Sequence, residues 1–283
     1  MQQPLLPIFL SAALAFTAYV GLVQIVPFSV DYGQNQPDTN LLRVEDYLFK
    51  PDRDTVLAGS SLTFLLSPSR LGNGIANIAM SGDSPATDLA LLALSGATPK
   101  LVLVEINQLW LSVNMSVVES ELRFPNRQLH KGLRAFRAGY DPANLFGRAL
   151  QALTNKSNTE LVPPADEVHR LVLDKQKEMA SPPDPKKLRR DLAQVASYLQ
   201  MLQARGTKVG FYEMPIDNSL TNLPREAVLR HEVLLKFPPG RFCWLKLSLP
   251  WGARTIDGIH LIAEDALSVA RQIRDQHGKC LGT

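Results

Sequence analysis

The first charged side chain in this chain is Asp31. Ahead of it runs "PLLPIFLSAALAFTAYVGLVQIVPF", and the 22 residues from Leu5 to Val26 are predominantly apolar. A helix of that length spans a bilayer core of ~30 Å. With no polar face, it does not read as a core helix of a soluble domain. A cleavable secretory signal has an apolar core of roughly 7 to 15 residues behind a positively charged start. This chain instead opens with "MQQ" and carries a longer apolar run. Residues 1–29 are therefore expected to form an uncleaved transmembrane anchor. The expected orientation puts the amino terminus in the cytoplasm and the rest of the chain on the extracytoplasmic, periplasmic side of the inner membrane. It rests on precedent for such anchors more than on flanking charge.

The remaining length suits one sizeable domain, since 45% of the 283 residues are hydrophobic. The formal charge is only +3 and is scattered apart from "KKLRR" at 186 to 190, which reads as a solvated helix face. A nucleic-acid partner therefore has little support. The two cysteines, Cys243 and Cys280, show neither a CxxC nor a Cys/His metal spacing. They are either two thiols or one disulfide, and an oxidising compartment would allow the bond. The other histidines, His130, His169, His231 and His277, lie in charged or helical contexts and read as surface residues.

Residues 30–53 are polar with scattered apolar positions and read as a connector. Beyond them strand-like and helix-like stretches alternate: "TVLAG" (55–59), "GIANIAM" (74–80), a helix from "SPATDLALLALSG" (84–96), and "KLVLVEIN" (100–107). A long amphipathic helix covers 184–206, with Pro near its start and Gly at its end, before the strand "TKVGFYEMPI" (207–216). The last unit, 257–276, is a loop entering a helix. This alternation predicts an α/β domain over 54–283 with a parallel sheet covered on both faces. Residues 119–183 are helix-prone and proline-punctuated, and are expected to form a helical insertion on one rim.

Ligands of open parallel sheets bind at the carboxyl ends of the strands. The polar residues just past each strand are therefore the informative ones: Gly59, Ser60 and Ser61; then Ser81, Gly82 and Asp83; then Asn107; and Asp257 and His260 before the last helix. Together they suit acyl transfer. A serine needs an imidazole to take its proton, and the imidazole needs a carboxylate on its other nitrogen. The tetrahedral intermediate needs donors for its oxyanion. Gly82 lets a backbone N–H approach closely, and Asn107 offers a side-chain amide. Each residue alone has a plainer reading: Ser61 as a helix N-cap, Gly82 as a turn, Asn107 as a strand-end turn former. The four positions in order favour the chemical one.

In that order "AGSS", "NIAMSGDS", "VEIN" and "DGIHL" resemble the four spaced blocks of the SGNH (GDSL-type) hydrolases, over residues 54 to about 276. The resemblance implies a three-layer, flavodoxin-like parallel sheet with Ser61 as nucleophile and Asp257 and His260 completing a triad. Gly82 and Asn107 would join the Ser61 N–H in the oxyanion hole, with no metal or cofactor. Two positions depart from the pattern: Ser60 stands where the family has Asp, and Glu105 where it has Gly. The first departure, with the anchor, is similar to membrane-anchored members that modify polymers, such as alginate-type O-acetyltransferases and the accessory protein of teichoic-acid D-alanylation. The implied function is an extracytoplasmic acyl (acetyl) transferase or esterase on a cell-surface polysaccharide, working beside a membrane-bound O-acyltransferase. The alternatives are a non-catalytic scaffold for that acyltransferase, and a lipid or aryl esterase.

Overall fold

The computed structural model describes residues 5–25, 36–143, 145–147, 163–249 and 252–282. Five parallel strands form the sheet: β1 (Thr55–Ala58), β2 (Ile75–Asn77), β3 (Leu101–Glu105), β4 (Lys208–Tyr212) and β5 (Cys243–Leu245), in the order β2-β1-β3-β4-β5. Val56 pairs with Ala76 on one side and Val102 on the other, Leu103 with Gly210, and Phe211 with Trp244. This is a doubly wound order, in which crossover helices must fall on both faces.

The three central strands are apolar on both faces because both are covered. Val56, Ala58, Val102, Val104 and Phe211 point into one core layer. There they meet Leu89 and Leu92 of α5 (Pro85–Ser95), Leu192 and Val195 of α9 (Pro185–Gln203), and Leu229 of α10 (Pro224–Lys236). Leu57, Leu101, Leu103 and Tyr212 point the other way. They meet Leu62 of α3 (Ser61–Phe64), Leu71 of α4 (Pro68–Leu71), and Val269 and Ile273 of α11 (Ala263–Leu281). The start signals act as expected: Ser84 caps α5 and Asp184 caps α9, each followed by a proline.

Three further findings reach beyond the sequence reading. The segment read as a connector contains α2 (Gln36–Phe49), which buries Leu42, Val44 and Tyr47. Its apolar residues looked scattered in line, but Val44, Tyr47 and Leu48 fall on one helical face against the core. β5, only three residues long, adds a strand that no periodicity announced. Cys243 of β5 is disulfide-bonded to Cys280 of α11, which settles the alternative left open by spacing.

The region 119–183 supplies α6 (Met115–Leu122), α7 (Asn126–Gly132), two 3-10 turns over 134–136 and 138–140, and α8 (Ala165–Met179); residues 148–162 lie outside the described residues. The amino-terminal helix α1 (Leu5–Ile25) contains 20 residues, Leu6–Ile25, of mean hydropathy 2.0, long and apolar enough to cross a membrane. Its later turns touch the 3-10 segment and the end of α7. Phe16 packs edge-on to Phe136, Tyr19 Oη donates to the Tyr140 carbonyl, and Gln24 Nε2 donates to the Gly132 carbonyl at 3.0 Å.

Candidate active site

β1 breaks at Gly59, and α3 starts two residues later. The turn is so tight that a Cβ on Gly59 would lie 2.4 Å from Thr63 Cβ and 2.9 Å from Glu105 Oε2. The two serines divide the work. Ser60 is the N-cap, its Oγ accepting from the Leu62 N–H at 3.3 Å. Ser61, the first helical residue, is thereby released from capping, and its Oγ lies 2.8 Å from His260 Nε2.

His260 is held from behind. Its Nδ1 lies 2.7 Å from Asp257 Oδ2, while Asp257 Oδ1 accepts the backbone N–H groups of His260 (2.8 Å) and Ile259 (3.0 Å). Burial works to raise the Asp257 carboxyl, but the side-chain and backbone bonds from His260 and the Ile259 N–H outweigh it and hold the group below the usual range. An ionised carboxylate only accepts, so Nδ1 carries the proton. Nε2 is then free to accept from the Ser61 hydroxyl.

Beneath the turn lies a buried polar network. Glu105, at the end of β3, accepts from Ser60 Oγ (2.6 Å), Ser60 N–H (2.9 Å), Thr63 Oγ1 (2.7 Å) and Thr63 N–H (3.2 Å). Tyr212 Oη lies 2.7 Å from Thr63 Oγ1, and Asp88 Oδ2 accepts the Gly59 N–H at 2.7 Å. Burial pushes the Glu105 carboxyl up, opposed by those four bonds. Burial also pushes Asp88 well up, which suits a neutral acid. Ser60 and Glu105 thus act as one device. A carboxyl reaches the turn from position 105, 45 residues away, and Ser60 bonds it.

The donors come next. The N–H groups of Ser60, Leu62 and Thr63 all have acceptors, whereas nothing among the described residues accepts from Ser61 N–H. Gly82, at φ +80°, adopts a conformation that favours glycine and lines the same cleft as Ser61. Asn107 lines it too, but its amide is partly committed: Oδ1 accepts from Met214 N–H (2.7 Å) and Nδ2 donates to the Met214 carbonyl (3.0 Å). Those bonds fix the amide's orientation and leave one Nδ2 hydrogen for a ligand. Ser61, His260, Gly82 and Asn107 therefore share one cleft of about 180 Å³.

Several lining residues were missed by sequence reasoning. Lys175, Glu178 and Met179 come from α8, and Arg225 and Glu226 from the first turn of α10. No strand end announces them, and only the fold brings them over Ser61. His130 also differs from its surface reading. Its Nδ1 lies 3.1 Å from Glu45 and 3.3 Å from Glu121, both buried. These three place ligand-type atoms within 4.8 Å of one another, a grouping that ties α2, α6 and α7 together.

No family model, curated protein or solved structure matches the chain. What fold and site define is a class: a parallel α/β domain with a hydrogen-bonded serine–histidine–aspartate line at the carboxyl edge of its sheet and, among the described residues, one long apolar helix.

Proposed function

We propose that the protein is a membrane-anchored acyltransferase or esterase of SGNH type, acting outside the cytoplasm on a cell-surface polysaccharide. The observation that carries this reading is the hydrogen-bonded line from Asp257 through His260 to Ser61, at 2.7 and 2.8 Å. In the first half-reaction His260 Nε2 takes the Ser61 proton as Oγ attacks the ester carbonyl. The tetrahedral oxyanion collects hydrogen bonds from the Ser61 and Gly82 N–H groups and the remaining Asn107 N–H. Collapse expels the alcohol, which leaves with the proton from Nε2, and the acyl group stays on Oγ. In the second half a sugar hydroxyl or water repeats the attack, with His260 again base and then acid. Asp257 stays ionised throughout and holds the imidazole in its tautomer.

The location is supported separately. The α1 helix is long and apolar enough for an anchor, and a disulfide between Cys243 and Cys280 persists in an oxidising compartment. The test is to incubate the full chain in detergent with p-nitrophenyl acetate and locate the acetyl group by peptide mass spectrometry. Acetyl on Ser61, absent from His260→Ala, is expected. No acetyl on Ser61 and no Ser61-dependent release of p-nitrophenol from a folded chain would turn the reading to a scaffold for a membrane acyltransferase.

A further inference from the structure

Outside the relay, the polar groups of the cleft that bond no described residue are the Glu226 carboxyl, the Gln108 amide and the fully buried Trp110 indole N–H. Glu226, in the first turn of α10, is only 4% exposed, lines the cleft, and accepts no hydrogen bond from any described residue. The side chain is buried, but its carboxyl lone pairs are free for a ligand in the cleft. Burial, with Glu213 adding and Arg230 and Arg225 opposing, pushes it up to about 7. Gln108 lines the same cleft, and its side-chain amide also bonds no described residue.

The charged groups around them are, by contrast, already used. Lys175 (2.8 Å) and Arg225 (2.9 Å) both bind the Glu178 carboxylate, and Arg225 also lies over the Trp110 ring at 4.7 Å. Asp83 accepts from the Ser84 N–H, the Thr87 hydroxyl and the Asn114 amide. Among the described lining residues, three carboxyl groups (Asp83, Glu178 and Glu226) thus stand against two cations (Lys175 and Arg225), and both cations already lie against Glu178, a balance that does not favour a carboxylate, phosphate or sulfate. What stands open is one carboxyl acceptor and one neutral amide, a set that matches hydroxyl groups.

We infer that Glu226 and Gln108 form an acceptor subsite for an uncharged sugar unit, Glu226 taking a hydrogen bond from a sugar hydroxyl, and that uronate- or phosphate-bearing polymers are disfavoured there. This rests on the reading that Ser61 passes its acyl group to a glycan. The acceptor is held by its hydroxyls, and the charged side chains of the wall keep one another in place.

Binding is measured on the full chain in detergent carrying Ser61→Ala, so that turnover does not intrude. Tryptophan fluorescence and calorimetry follow titration with a neutral gluco-oligosaccharide and with an oligogalacturonate. The neutral sugar is expected to bind saturably and the uronate at least about tenfold more weakly. Glu226→Ala should weaken neutral-sugar binding by about tenfold, the scale of one good hydrogen bond, while Glu226→Gln, which still accepts, loses less. Matching melting curves show that each variant is folded. Equal or tighter uronate binding, no saturable binding of the neutral sugar, or unchanged binding by Glu226→Ala would each overturn the inference. Serine reactivity is scored separately on the wild type. Its failure with sugar binding intact sinks the catalytic reading and spares the subsite, and the reverse result does the opposite.

Discussion

Glu105 offers the sharpest perturbation, because four donors depend on it and all belong to Ser60 or Thr63. In Glu105→Ala the two hydroxyls can turn elsewhere, Thr63 Oγ1 towards Tyr212 at 2.7 Å. The two backbone N–H groups are fixed by the turn and cannot. At about 1–3 kcal/mol for each buried unsatisfied donor, the N–H pair alone costs about 2–6 kcal/mol. Glu105→Gln is milder. Three of the four bonds end on Oε2, so an amide oxygen placed there keeps them, and only the Ser60 Oγ bond must reverse. A loss of ~1 kcal/mol is expected. Urea unfolding of the full chain in detergent, followed by tryptophan fluorescence, measures both variants. A misplacement of about 1 Å can cost ~100-fold in rate, so Glu105→Ala should also react far more slowly with a serine probe. Ser60→Asp should destabilise by setting a second carboxylate against the first at a site 1% exposed. Ser60→Asp/Glu105→Gly, which removes the clash, should recover part of that loss. If Glu105→Ala unfolds within ~1 kcal/mol of Glu105→Gln, or the double variant is weaker than Ser60→Asp alone, the exchanged-carboxylate account is wrong.

Other expectations follow from the same geometry. Asp257→Asn leaves the shape intact but favours the wrong imidazole tautomer, so serine-probe labelling should slow by roughly 10³–10⁴-fold; an unchanged rate would remove Asp257 from the relay. Burial first, and then Glu121, raise Glu45 from its ordinary 4.5 to about 8. The folded chain then holds a proton that the unfolded chain releases, and wild-type stability should fall relative to Glu45→Gln as pH rises from about 4.5 to 8. The slope is up to about 1.4 kcal/mol per pH unit, read by unfolding at each pH, and a flat difference contradicts it. The Cys243–Cys280 bond closes 37 residues, so its reduction should cost about 3–4 kcal/mol on the chain-entropy argument. A midpoint in urea that ignores reductant would refute that. Gly59→Ala should abolish labelling, since its Cβ has no room beside Thr63.

The ends of β1 and β3 were legible because each is a short branched apolar run followed at once by polar residues, in "TVLAGSS" and "LVLVEIN". The fold carries those residues to one edge of the sheet, which is why Ser61, Gly82, Asn107 and His260 meet. α2 stayed hidden because its apolar residues show only on a helical face, and β5 because three residues carry no period. Ser60 and Glu105 each looked like an isolated departure. Their bond spans 45 positions, and no local pattern reports a contact of that range. Glu226 was invisible for a similar reason: in line it is an ordinary acidic residue of a helix's first turn, and only burial beside Ser61 sets it apart.

The most direct test of the central claim is labelling of the full chain in detergent with a fluorophosphonate probe, with Ser61→Ala and His260→Ala run beside it. The account predicts covalent labelling of the wild type on Ser61, lost in both variants although each remains folded. A folded wild type that takes no label, or a His260→Ala chain labelled as fast as the wild type, would contradict an activated serine at the end of the first strand.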